Sequence, residues 1–160
     1  MYEELGDAAR HRALNEEVLA AARAGGNKRV ITTTLCALAR HARNEADYRG
    51  ALELLREAYA NAKEIGERAE LPDALSLMAM VLAAAGHPAA ATRLAARARA
   101  LSDEIRGHKH VWVVEREEET VATVKAGLGE EEFARLWEEG RALSEDEVVA
   151  LALEDRGFAE

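Results

Sequence analysis

The chain has 160 residues, enough for one compact domain or a short solenoid with its own core. Hydrophobic residues reach 49% but aromatic residues only 4%, so Ala, Leu and Val carry the apolar content, and only Pro72 and Pro88 interrupt it; that composition is all-α. A formal net charge of −9 argues against direct binding of nucleic acid or an anionic membrane, no stretch is apolar enough to span a bilayer, and the single Cys36 excludes an internal disulfide.

The N-terminal run from Met1 to Asp7 lacks the basic and apolar regions of a signal peptide, so cytoplasmic residence is expected. The first helix is predicted from Ala8 to Arg23, ended by Gly25-Gly26-Asn27, because glycine accommodates the left-handed C-cap. The second runs from Arg29 to Arg43, with a tight turn at 44–47. The third covers Tyr48 to Ile65 and stops at Gly66. The fourth starts at Pro72, which a first turn tolerates, and ends at Ala85. Gly86-His87-Pro88 turns the chain into a fifth helix that reaches Ile105. A sixth is expected from Lys109 to Ala126, with Val114, Val121 and Val124 on its apolar face, broken by Gly127-Leu128-Gly129. Phe133, Leu136 and Trp137 form an i, i+3, i+4 stripe on a seventh, which Gly140 is expected to end. Ser144 and Glu147 form a capping box for the eighth, with Leu143 and Val148 as its hydrophobic staple and Leu151 and Ala152 turned inward; residues 155–160 are expected to fray.

A shift of 40 residues aligns Gly6, Ala46 and Gly86, Ala22 with Ala62, Gly26 with Gly66, Ala51 with Ala91 and Ala58 with Ala98. Two units then fit the pattern bulky–x2–Leu–small–x2–bulky, Ala–x3–bulky, Ala of tetratricopeptide repeats. They are Leu35, Leu38, Ala39, Ala42, Ala51, Leu55 and Ala58, and Leu75, Met78, Ala79, Leu82, Ala91, Ala95 and Ala98. Small residues mark close helix crossings and larger ones flank them. The predicted fold is therefore all-α, an α–α superhelix of tetratricopeptide-like hairpins; a generic helical bundle is the competing architecture. Residues 1–107 hold one partial and two full units, and 108–160 form capping helices over one end. The first helix sits as the second member of a hairpin without its partner. Two explanations compete, a fragment or descendant of a longer solenoid and a homodimer in which the open end docks on another copy, and both predict exposed apolar surface near the N-terminus.

The stretch Leu128-Gly129-Glu130-Glu131-Glu132-Phe133-Ala134-Arg135-Leu136-Trp137, on through Gly140-Arg141-Ala142-Leu143-Ser144 to Ala150-Leu151-Ala152-Leu153, resembles the close of the tetratricopeptide-like C-terminal region of large bacterial ATP-binding transcriptional regulators of the LuxR type. Glu70-Leu71-Pro72-Asp73-Ala74-Leu75 and Ala85-Gly86-His87-Pro88 are similar to that region as well. The resemblance spans about Gly6 to Leu153 and implies a sensor or interaction arm. The chain has no G-x-x-x-x-G-K-[ST] loop, and the shared motifs are packing motifs that transfer no catalytic residue.

Chemistry is sparse. His108-Lys109-His110 could chelate only from an extended loop, with His87 or Glu115 as a third ligand, and an exposed polar loop is the simpler reading, so no metal is expected. Cys36, one turn from His41, is a core residue rather than an activated thiol. Glu115, Glu117, Glu118 and Glu119 read as a solvated helix face, and Trp112 and Trp137 as core of the cap. No cofactor and no enzymatic activity are expected. The concave face of the hairpins is the candidate partner groove, lined by Thr33, Cys36, Arg40 and Asn44, then Asp73, Ser76 and Met80. A protein or peptide partner is expected there, with self-association and small-molecule sensing as alternatives.

Overall fold

The computed structural model describes residues 2–105 and 111–154, apart from the side chains at 2–5, 111, 112 and 153. The fold is all-α, with no strand among the described residues. Its helices are α1 (Tyr2–Ala24), α2 (Lys28–Asn44), α3 (Tyr48–Glu64), α4 (Leu71–Ala84), α5 (Pro88–Glu104), α6 (Val111–Leu128), α7 (Glu130–Arg141) and α8 (Glu145–Leu153), with a 3-10 turn at Arg68–Glu70 before α4.

The first five helices end at Ala24, Asn44, Glu64, Ala84 and Glu104, one every 20 residues. The first four of these ends share one turn. A residue with positive φ, Gly26 (67°), Ala46 (62°), Gly66 (72°) or Gly86 (86°), reverses the chain. The next amide then donates back five residues: Asn27 to Ala22 O at 2.9 Å, Asp47 to Ala42 O at 2.9 Å, Glu67 to Ala62 O at 2.9 Å and His87 to Leu82 O at 2.8 Å. This 6→1 bond closes a helix end whose carbonyls would otherwise lack partners. All four accepting residues are buried, so water is a poor substitute. Asn27 and Asp47 then cap the next helix through side-chain oxygens that accept from Val30 N and Gly50 N.

Consecutive helices pack in pairs, α1 on α2, α2 on α3, α3 on α4 and α4 on α5. Contacts two helices apart, α2 with α4, α4 with α6 and α5 with α7, add the stacking direction. Every position of the two repeat units is buried, from Leu35 and Ala39 in the first to Ala95 and Ala98 in the second. Helix α4 lies at the centre, with all residues from Leu71 to Leu82 buried, as befits a helix apolar on every side. The main core runs without interruption from Ala39 to Ala152 and so includes α6 and α8. A smaller cluster joins α1 to α2 and α3 through Leu19, Ala22, Ile31, Leu35, Leu38 and Ala58.

Helix α1 contributes little else to the interior. Leu14 and Val18 lie open to solvent, the exposed apolar surface expected near the N-terminus. Arg12 pairs with Glu45, and Arg23 with Glu57 at 2.7 Å, to hold α1 along its length. At the other end the capping box forms as expected: Glu147 N donates to Ser144 Oγ at 3.2 Å and Ser144 N to Glu147 Oε2 at 2.7 Å. Gly140 does not end its helix. It is buried inside α7 where α7 crosses α5, and a Cβ there would lie 2.6 Å from Arg93 Cα and 2.9 Å from Ala96 Cβ. Glycine is present because two backbones meet.

Two glycine exchanges separate these roles. Ala46→Gly should stabilise the protein by up to about 1 kcal/mol, because Ala46 alone among the four turns bears the left-handed steric cost. Gly140→Ala should destabilise it: overpacking of about 1–3 kcal/mol outweighs a helix-propensity gain of about 1 kcal/mol. Urea unfolding at equilibrium checks both.

Candidate functional site

The face formed by α2, α4 and α6 carries most of the predicted groove, but much of it is already occupied. Helix α6 packs on α4 and covers part of the second unit. Ser76 is buried and donates to Glu117 Oε2 at 2.9 Å. Arg99 of α5 approaches the other carboxylate oxygen at 3.6 Å. Glu117 is only 2% exposed, so the acidic run is not a uniformly solvated face. The buried stripe of α6 includes Val113, Glu117 and Val124, with Val114 and Val121 only partly buried, so the helix is rotated from the all-valine face. A charged hydrogen bond to Ser76 and the nearby guanidinium permit a carboxylate there.

Asp73 is buried at the start of α4. Thr33 is exposed and turns its hydroxyl back to Val30 O at 3.1 Å. Cys36 is partly buried and touches both core clusters. Burial, then the charges of Glu70 and Asp73, push its thiol up to about 12, against a smaller opposing effect of Arg40. Such a thiol is protonated near neutrality and is not an activated nucleophile. His41 does not face it. His41 Nε2 lies 3.0 Å from His11 Nδ1 across the α1–α2 contact, with Arg12, Arg40 and Glu45 around the pair.

The structure does bring Arg40, Asn44 and Met80 together. They line a cavity of about 380 Å³ whose remaining walls are Arg43, Glu115 and Arg116. Arg43 and Arg116 are not among the expected groove residues, and the sequence reads Glu115 only as part of a solvated acidic face or a candidate metal ligand; the walls come from three helices, which no local pattern brings together. Burial, followed by the charges of Arg116 and Arg40, lowers the pKa of the half-buried Arg43. Arg43 donates to Asn44 Oδ1 at 3.2 Å and has no carboxylate partner among the described residues.

A second, larger cavity of about 550 Å³ lies between α3, α4 and α8, with Tyr59, Leu75, Met78, Val148 and Val149 among its mainly apolar walls. Trp137 is partly buried, stacks on Phe133 at 5.4 Å and lies beneath the Arg99 guanidinium, in keeping with a packing role. His108, Lys109, His110 and the Trp112 side chain lie outside the described residues. Among the described residues no group of three or more His, Cys, Asp or Glu could hold a metal ion, and no helix is long and apolar enough to cross a membrane.

Over 117 residues, 70% of its length, the chain is 33% identical to a protein of Mycobacterium bovis and to one from each of two Mycobacterium tuberculosis strains, all named as HTH-type transcriptional regulators. It spans about 13% of the length of these relatives. No protein-family model and no solved structure matches the chain. The relation to transcriptional regulators foreseen from the sequence is thus supported. The exclusion of direct nucleic-acid contact is not. Helix-turn-helix regulators act on DNA, and a net charge summed over a chain that matches 13% of each relative cannot speak for the whole of it. The relatives' names offer nothing for a protein partner or a homodimer.

Two measurements test these environments. Glu117→Ala should cost about 1–3 kcal/mol in urea unfolding and Glu117→Gln less, because glutamine still accepts from Ser76. The His41 pKa is lowered by burial first, then by His11 and Arg40. Its folded value therefore lies below the unfolded one, and its contribution is complete above about pH 6.5 and fades as pH falls through the folded value. Melting temperature should drop between about pH 7.5 and 5.5, with a smaller drop in His41→Gln.

Proposed function

We propose that this chain acts as a non-catalytic helical-repeat arm of a bacterial transcriptional regulator, presenting a surface for protein interaction. The observation that carries the reading is the turn repeated every 20 residues, with buried alanines where paired helices cross. That geometry supports a tetratricopeptide-like stack, and residues 108–160 then serve as its closing unit. A stack of this kind grows by adding hairpins and offers a continuous face rather than an enclosed reaction chamber. The resemblance to the C-terminal region of LuxR-type regulators fits the regulator names of the relatives and a cytoplasmic location. Arg40 and Asn44, exposed on the α2 side of the groove, are the predicted groove residues best placed to meet a partner.

A graft tests the reading. In the Mycobacterium tuberculosis relative, deletion of the matching 117 residues should abolish transcriptional output from a reporter, and insertion of this chain's equivalent stretch should restore it. A chimera that is expressed and folded but gives no output overturns the proposal.

A further inference from the structure

We propose that the cavity between α2, α4 and α6 is a binding site for a small oxyanion, a phosphate or carboxylate group carried on a low-molecular-weight ligand. Three arginines, Arg40, Arg43 and Arg116, line one cavity in a chain whose net charge is −9. Guanidinium groups present paired donors in the fork geometry that phosphate and carboxylate oxygens match. Arg43 is the central member. It is half-buried, lies in the fields of Arg40 and Arg116, and has only the neutral Asn44 side chain as a partner among the described residues. Like charges gathered at a half-buried position oppose one another, and an anion between them relieves that opposition.

The rest of the lining defines the ligand further. Glu115 is the single carboxylate on the wall, and Glu119 pairs with Arg116 at 3.2 Å from outside it; together they limit the charge the cavity accepts. Met80 supplies an adaptable apolar contact on the α4 side, suited to a short carbon skeleton that bears the anionic group. A volume of about 380 Å³ falls within the usual range for small-ligand pockets and is too small for a folded partner. Because α2 and α6 belong to different parts of the stack, an anion held by Arg43 and Arg116 would tie them together. The site adds a ligand class to the regulator reading and does not depend on the interaction role proposed above.

The test uses the full chain with two probes, inorganic phosphate and succinate, each titrated calorimetrically against potassium chloride of matched ionic strength. Saturable binding of either probe, with a rise in melting temperature beyond that in chloride, supports the site. Binding of phosphate alone assigns a phosphate ester, and of succinate alone a carboxylate. Arg43→Gln and Arg116→Gln should each weaken binding by about tenfold. Arg135→Gln, on the exposed face of α7, should leave it unchanged. Arg116 is well exposed, so its variant keeps the test decisive if Arg43→Gln fails to fold. A response no greater than that to chloride, or one retained in the folded Arg43 and Arg116 variants, overturns the proposal. Neither result bears on the graft experiment, so the two readings fail separately.

Discussion

The structure depends on a single backbone constraint, the closure of helix ends inside the core. Ala22, Ala42, Ala62 and Leu82 all lie in the interior, and each carbonyl accepts the same five-residue return bond. A buried carbonyl without a partner costs about as much as several ordinary contacts contribute. The chain meets that demand within its own turn, by reversing through a left-handed residue. Once each helix ends this way, the next must run back alongside it. Equal spacing of the turns then keeps neighbouring helices level, so alanines at the crossings fall opposite one another and the backbones can approach.

That packing sets the character of the candidate site. Helix α4 is surrounded, and its buried polar residues are Asp73, whose charge reaches Cys36 of α2, and Ser76, which faces α6. Ser76 and Glu117 meet there as a buried pair, while further along the same seam Met80, Arg43 and Arg116 leave a cavity. An acidic chain therefore encloses a locally basic pocket. Net charge is a sum over the whole surface, whereas a ligand responds to the few groups it touches. The same distinction explains why the acidic balance misjudged nucleic acid: the relatives are named for an HTH-type role, and this chain spans about 13% of their length, so its net charge says nothing of the rest.

Some elements are equally clear in sequence and structure, and others are not. The capping box at Ser144 and Glu147, the stop at Gly66 and the repeat positions from Leu35 to Ala98 all needed only neighbours within a turn or a fixed period. Gly140 was misread because a glycine that ends a helix and a glycine that lets two helices touch are identical in the chain. Glu117 was misread because the charge pattern of α6 holds no trace of Ser76 on a distant helix. Of the groove residues, Arg40, Asn44 and Met80 share a cavity, Ser76 is bonded beneath α6, and Thr33 stands apart.

The sequence by itself determined the all-α class, the turns that close the first four helices and the small-residue crossings, because propensity, capping and periodicity act over a few residues; the start of α1 at Tyr2 rather than Ala8, and the continuation of α6 to Leu128, carry no such local signal. Tertiary structure alone decided which face of α6 is buried, which glycine is a contact, and that Arg43 meets Arg116. Those outcomes depend on the approach of helices far apart in the chain. There the fit of side chains into shared space, rather than any local preference, selects the arrangement.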